Sequence, residues 1–489
     1  MHWVETVRRS RQPATHDEFY RRVSMQAASL RDALTAGEFE GEFALGLELE
    51  GYAADSDGRL TTIPESVFET GCERELGRHN AEVNTPRAQF DQVGIEEQAT
   101  SLDERLTAVR NALAAHDSQF ITDGMWTIGP PEGTLPYLTA VREREGQRVS
   151  ANLSPAARYY ALDADISANG PVTLSLRGCR QSFASILVES LATSMQVHLQ
   201  TPTAEFPRYF NTALRTAGPV LVLAANSPFL PPDLYTDPTP GTVLNAGVEL
   251  RVPVFESMNV REPGKVRFPR DIDHPIDAVD RIAEDRQCAP YLREWVDDDS
   301  RDGFVDEHWE LLHKQGTCWR WIRPVFGPEG PRIEYRVLAA QPSAADVISL
   351  QALVAGLIRG IVATDHPVSD LSWNAAYDSF YAAVRDGFDA DIAWMTRDGN
   401  RTGNLELVYP ELFALARHGL RTQGFEPERI EALLAPIEHR WSTRTSPSEW
   451  KREQVRARLE EGVDLPEAIE AMQHEYNERS RTSESFAAW

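Results

Sequence analysis

Lysine is almost missing from this chain: of its 49 basic residues only Lys265, Lys314 and Lys451 are lysines, which leaves 46 arginines. Acids outnumber bases by 75 to 49, giving a formal charge of -26 that is spread along the whole chain. Nucleic acid is therefore not an expected partner, because a polyanion would meet a net-negative surface. An acidic, lysine-poor surface fits a halophilic, salt-adapted protein, in which dense carboxylates hold water while salt screens their repulsion. A GC-rich genome that codes Arg in place of Lys is the competing explanation, and salt adaptation is favoured over it.

Cysteine is also scarce. Cys72, Cys179, Cys288 and Cys318 are far apart with no C-x-x-C pair, so neither a disulfide framework nor a zinc knuckle is indicated, and buried reduced thiols are expected. The longest apolar run noted, 219–225, is about a third of the roughly 20 residues a membrane span needs. The amino terminus carries Arg8, Arg9, Arg11, Arg21 and Arg22 and has no apolar signal-peptide core. A cytoplasmic protein without a membrane partner is the expectation. Several catalytic motifs are missing too: no G-x-x-x-x-G-K-[ST], no G-x-G-x-x-G after a strand, no H-E-x-x-H and no G-x-S-x-G. A bound nucleotide would have to be held through metal ions and arginines.

What is present is a chain of 489 residues, 42% hydrophobic, enough for a large core and, by length alone, two or three domains. Residues 42–52 alternate apolar and polar and run into Asp55-Ser56-Asp57-Gly58, the pattern of a strand entering a turn. A short strand is predicted at 80–85, a helix at 95–116, a strand at 193–200, a helix ending near 225, and strands at 248–255, 319–325 and 332–338. The last two form a hairpin across Gly327-Pro328-Glu329-Gly330. From Ser343 onward the pattern is helical. The sequence thus predicts an α+β catalytic region over 1–365 and a helical segment over 366–489, with a loose tail from about 479.

Gly46-Leu47-Glu48-Leu49-Glu50 sets two carboxylates on one strand face and two leucines on the other. Carboxylates about 7 Å apart repel unless solvated, paired with arginine or bridged by a hard cation such as magnesium. Solvation is the plain reading for this motif alone. Glu82-Val83-Asn84-Thr85-Pro86 then adds a carboxylate, Gln196-Val197-His198 adds two ligand-type side chains on one face, and Ile333-Glu334-Tyr335-Arg336 sets a carboxylate beside a guanidinium. Four strands presenting such residues suggest a sheet-lined cavity for metal ions and a polyanion.

In order, these segments, together with Ala224-Ala225-Asn226-Ser227-Pro228-Phe229, resemble the landmarks of carboxylate-amine ligases over about residues 43–360. That family includes the glutamate-cysteine ligases and belongs to the glutamine-synthetase-like superfamily. Ala416-Arg417-His418-Gly419-Leu420 and 445–450 resemble its C-terminal helices. The resemblance implies a curved antiparallel sheet forming a funnel, with magnesium ions bridging ATP phosphates. Glu48, Glu50, Glu82, His198 and Glu334 match its metal-binding positions. His198 is an unusual ligand for magnesium, and contact with phosphate or substrate, or a structural role, stays open. Arg336 and Arg251 match arginines presented to phosphate or substrate, and Asn84, Thr85 and Gln196 are secondary contacts.

The implied reaction is ATP-dependent amide formation through an acyl phosphate. A γ-glutamyl bond to cysteine, as in glutathione biosynthesis, is the foremost form. The partners are small amino-acid substrates, and a homo-oligomer is left open. A guanidino-type phosphotransferase, a non-catalytic metabolite-binding relative and a ligase for another amine are the competing readings. The chain departs from the family at residues 123–130, where many members have a Gly-x-His-Pro type loop and this sequence has no histidine. Residues 261–306 have no counterpart that can be aligned.

Overall fold

The computed structural model describes residues 3–285, 289–296 and 303–489. Cys288 lies outside them, whereas Cys72, Cys179 and Cys318 are buried. Among the described residues the strands are β1 (Ala44–Asp55), β2 (Glu73–Arg74), β3 (Asn80–Asn84), β4 (Ala88–Gln89), β5 (Ser118–Ile121), β6 (Val141–Arg144), β7 (Gln147–Ser150), β8 (Val172–Leu176), β9 (Cys179–Phe183), β10 (Ser194–Gln200), β11 (Ile322–Gly327), β12 (Gly330–Ala339), β13 (Trp394–Met395) and β14 (Arg401–Thr402), the last two paired with each other. Eight of them form one curled antiparallel sheet, in the order β11-β12-β10-β1-β3-β2 with β4 and β5 also paired to β1. β6 with β7 and β8 with β9 are separate hairpins. The β11–β12 turn holds Pro328 and Glu329 between Gly327 and Gly330, which face each other. Gly330 closes the turn at φ +93°, where a side chain would be strained.

Strand alternation gives the sheet two unlike faces. Leu47, Leu49, Val83, Met195, Val197, Leu199, Ile333 and Tyr335 are all buried, and the sheet packs on the helices Gln92–Ala114, Phe206–Ala224 and Ala344–Ala363. Ala344–Ala363 is apolar and long enough to cross a membrane by composition, although Asp346, Ser349, Gln351 and Arg359 interrupt its apolar run. Most of its apolar window (89%) is buried inside the protein, as in a core helix. A second, smaller core joins the helices Pro13–Ala36, Pro275–Glu284 and Trp309–Thr317 through Phe19, Leu30, Val279 and Leu311.

Two expectations are corrected. Residues 248–255 are not a strand: the helix Arg251–Glu256 begins inside them. The run is short and apolar, so its period cannot separate strand from helix, and the Glu249 carboxylate decides the matter by accepting from the Asn226 amide (3.0 Å) and the Ser227 hydroxyl (2.8 Å). Nor is the tail loose from 479. The helix Leu465–Thr482 runs past that point, Phe486 is buried, its amide donates to Asp346 (2.9 Å), and Trp489 packs edge-on against Trp450 at 4.9 Å. One hydrophobic core runs from Val7 to Phe486.

Candidate active site

The face opposite the leucines carries the acids. Register pairs Glu50 of β1 with Glu82 of β3, Glu48 with both Gln196 and Asn84, and His198 of β10 with Glu334 of β12. Gly46 stands across from His198, where a Cβ would come to 3.4 Å of the histidine Cβ. A cavity of about 380 Å³ opens over Glu50, Glu75, Glu82, Glu189, Gln196 and Arg336. A second, of about 300 Å³, is lined by Asn84, Thr85, Arg87, His198, Arg332 and the β11–β12 turn. Glu48 lines both and so stands at their junction. A larger cavity, about 720 Å³, contains none of the expected site residues and, among the described residues, shares Arg323 alone with the acid cavity.

The carboxylates are held in two different ways. Glu334 receives Arg323 through Nε (2.7 Å) and Nη2 (3.1 Å), and Nη1 of Arg336 (2.7 Å). Burial pushes Glu334 up, but those two guanidinium groups outweigh it and hold the carboxyl well below its usual range. Glu48 is treated similarly: burial opposes its charge, while His198 and Arg336 bring it below 4.5. Among the described residues Glu50 has the Ser194 amide (2.8 Å) and the Gln196 amide (3.2 Å) as its donors, and burial pushes it up to about 7. Burial together with Glu48, Glu75 and Glu50 drives Glu82 well above its usual value. Gln196 ties the set together, since its Nε2 also reaches Glu82 (3.4 Å) and its Oε1 accepts from Arg336 (2.6 Å).

Glu48, His198 and Glu334 bring ligand atoms within 4.8 Å of one another, a spacing that suits a cation. The two carboxylates fit a hard one. His198 does not fit the expected ligand role, because its Nδ1 accepts from Arg332 Nε (2.8 Å). An arginine can only donate, so the proton of the neutral ring sits on Nε2, 3.1 Å from Glu48 Oε1. That contact has the length of a hydrogen bond without its alignment. The nitrogen facing the cluster is thus a donor.

Arg251 is a further correction. It is fully buried and its donors are used internally: Nε on Glu249 (2.9 Å), Nη1 on Ser194 Oγ (3.0 Å) and Nη2 on the Val337 carbonyl (2.6 Å). It ties β10 to β12 and lines neither acid-bearing cavity. Thr85 lines the second cavity, but its hydroxyl is spent on Gln98. Asn84 donates to Glu73 (3.1 Å) and leaves its Oδ1 buried without a partner. Residues 123–130 line neither cavity. Asp123 is instead buried in an ion pair with Lys451 and accepts from Gln473 (2.8 Å).

Sequence reasoning missed Arg323, Arg332, Glu75, Glu189 and Asn80. Arg323 and Arg332 lie in the predicted hairpin, where same-face spacing with Glu334 was available as a signal, but 46 arginines dilute each one. Glu75 and Glu189 sit outside the strands that carried the motifs, and nothing local distinguishes them.

A search of curated proteins finds no match. Among solved structures, the glutamate-cysteine ligase of Francisella tularensis in complex with AMP is 12% identical, with a TM-score of 0.53 over 91% of this chain and 90% of that one. It shares the fold. A bifunctional glutathione synthetase from Pasteurella multocida is 13% identical, with a TM-score of 0.49 over 93% of this chain and 55% of that one. The ligase PafA, in its complex with the ubiquitin-like protein Pup, is 11% identical, with a TM-score of 0.38 over 91% of this chain and 74% of that one. Residues 44–481 match the model for glutamate-cysteine ligase family 2, and the chain belongs to that family.

Proposed function

We propose that this chain is an ATP- and magnesium-dependent ligase that joins the carboxylate of glutamate, or of a similar acid, to an amine through an acyl phosphate. The observation that carries the reading is the convergence of Glu48, Glu50, Glu82 and Glu334 with Arg336 on one sheet face between two cavities. Membership of the ligase family supports amide formation, and AMP in the Francisella enzyme supports a nucleotide. The four glutamates form the all-oxygen set that would hold magnesium. When bound, the metal supplies neutralisation of phosphate oxygens.

The remaining steps belong to the chain's own groups. Arg336, oriented by Glu334 and Gln196, offers a planar fork to the transferred phosphoryl group. His198 Nε2–H and Arg332 present donors from the second cavity. A carboxylate oxygen of the acid bonds to the γ-phosphorus and ADP leaves. The amine nitrogen then bonds to the acyl carbon, phosphate leaves, and the proton passes to the carboxylates that line the cavity. Fixing the reactants in line is a large share of the catalysis.

The test is an assay of ADP release with mass analysis of the product, using ATP, magnesium, glutamate and a series of amines. Amide and ADP in equal amounts, lost in Glu48→Ala, are expected. ADP with a phosphorylated product and no amide would make the protein a phosphotransferase.

A further inference from the structure

The cavity of about 720 Å³ has no part in the reaction above. Among the described residues it shares Arg323 with the acid cavity and nothing with the second one. Its volume suits a small organic ligand. Its lining is cationic although the chain's formal charge is -26: Arg267, Arg270, Arg281, Lys314, Arg320 and Arg323 face Glu284 and Asp285. Arg320 pairs with Asp285, and Arg323 with Glu334. Arg267, Arg270 and Arg281 make no ion pair among the described residues. Arg281 gives Nη1 to the Arg270 carbonyl (2.5 Å) and Nη2 to the Asp271 carbonyl.

The acids beyond the lining do not cancel this charge. Asp271 has a guanidinium of its own in Arg215. Asp277 accepts the amides of Asp273 (2.8 Å) and His274 (2.9 Å). Adding Asp273, Asp277 and Glu334 to the two lining acids still leaves the cations in excess. Burial lowers Arg281 against the pull of Asp277, Asp271 and Asp273, and Arg270 lowers it further. Burial lowers Arg320 too, against Asp285, and Arg267 adds to the lowering. Guanidinium groups that repel one another around a cavity are relieved when an anion joins them.

The cationic cluster adjoins an aromatic face. Trp373, Tyr377 and Tyr381 recur every four residues along the helix Trp373–Asp386 and line the same cavity. Successive ring centres are 5.0 and 4.6 Å apart. Arg270 joins the two features, its guanidinium carbon 3.4 Å from the centre of the Trp373 ring. Trp373 donates to the Pro269 carbonyl (2.6 Å) and Tyr381 to Glu256 (2.5 Å), whereas Tyr377 is 37% exposed.

We propose that this cavity binds a phosphate monoester with a flat aromatic body, its phosphate among Arg267, Arg270 and Arg281 and its ring against Tyr377. The number of guanidinium groups favours phosphate over carboxylate, because a monoester carries about -1.5 to -2 near neutral pH and three acceptor oxygens. The inference stands apart from the ligase reading, since Glu48, Glu50 and Glu82 line other cavities.

Calorimetric titration of the full chain with 1-naphthyl phosphate, 1-naphthol and inorganic phosphate tests it. The naphthyl phosphate should bind about tenfold more tightly than either of the others. Replacing two exposed arginines together, Arg267→Gln with Arg270→Gln, should weaken that binding about tenfold, and so should Tyr377→Ala, which also serves if the arginine variant does not fold. Glu48→Ala should leave the affinity unchanged. Naphthyl phosphate that binds no more tightly than inorganic phosphate, or that is indifferent to the arginine or the tyrosine substitution, overturns the inference. Binding lost in Glu48→Ala would put the probe among the catalytic acids and overturn it as well.

Discussion

The two ends of one acidic sheet face treat their carboxylates in opposite ways. At the β12 end, Glu334 is gripped by Arg323 and Arg336 and stays ionised without help. At the β1–β3 end, Glu50 and Glu82 stand directly opposite each other with amide donors and, among the described residues, no guanidinium in hydrogen-bond contact. The first end has its counter-charges built in before any metal binds. The second accepts charge only when a cation is supplied, because burial and mutual repulsion oppose ionisation. The fold thus gives a fixed anchor for Arg336 and, beside it, a place whose charge state depends on its ligand.

Removing the anchor should have the largest effect. Glu334→Ala leaves two buried guanidinium groups uncompensated, at a cost of about 3–5 kcal/mol, and should abolish turnover. Urea unfolding with and without magnesium measures the first, ADP release the second. Glu50→Gln should break the symmetry of the comparison: it should lose ligase activity yet make the metal-free protein no less stable above pH 7. Equal destabilisation by both substitutions would mean that the two ends do not differ.

A pH series sharpens the same contrast. Burial lifts Glu50 from 4.5 to about 7, and burial with neighbouring acids lifts Glu75 to about 8. A carboxyl raised in the fold holds its proton more tightly folded than unfolded, so its stabilisation is full below 4.5 and is lost as pH rises through 7 to 8. Glu48 and Glu334, held low, contribute above 4.5 and lose that contribution as pH falls. Metal-free protein should therefore lose on the order of 2–3 kcal/mol between about pH 5 and pH 8, and magnesium or Glu50→Gln should flatten the loss. Chemical denaturation across that range decides it.

Arg336→Lys keeps the charge and loses the planar fork, and turnover should fall about 10- to 100-fold, roughly 1.4–2.8 kcal/mol. An unchanged KM for ATP together with unchanged turnover would remove Arg336 from the site. The smallest effect is expected from salt. Melting temperature should rise by a few degrees from about 0.05 M to several molar potassium chloride, as screening quiets repulsion among 75 acids. A level or falling series would leave codon bias as the reason for the missing lysines.

The residues that alternate on strands are legible in the sequence alone. Glu48, Glu50, Glu82, Gln196, Glu334 and Arg336 share a face because strand geometry has a period of two, and that period is written in the leucines and valines between them. The sequence by itself determined that one sheet would have an apolar and an acidic face, and that a helical half would follow. It did not determine which groups face each other across strands or from distant segments. Arg251 resembles a site arginine by its place in the chain and acts as a brace, since its Nε, Nη1 and Nη2 bond Glu249, Ser194 and the Val337 carbonyl. His198 resembles a metal ligand and is a donor, because Arg332, 134 residues away, occupies its other nitrogen. Glu189 carries no local signal at all and joins the acid cavity only through the fold, whereas Asn80 shares the β3 face with Glu82 and Asn84. Local periodicity is a property of the backbone and can be read along the chain. Partner choice and burial arise from contacts between remote segments, and those exist only once the chain has closed on itself.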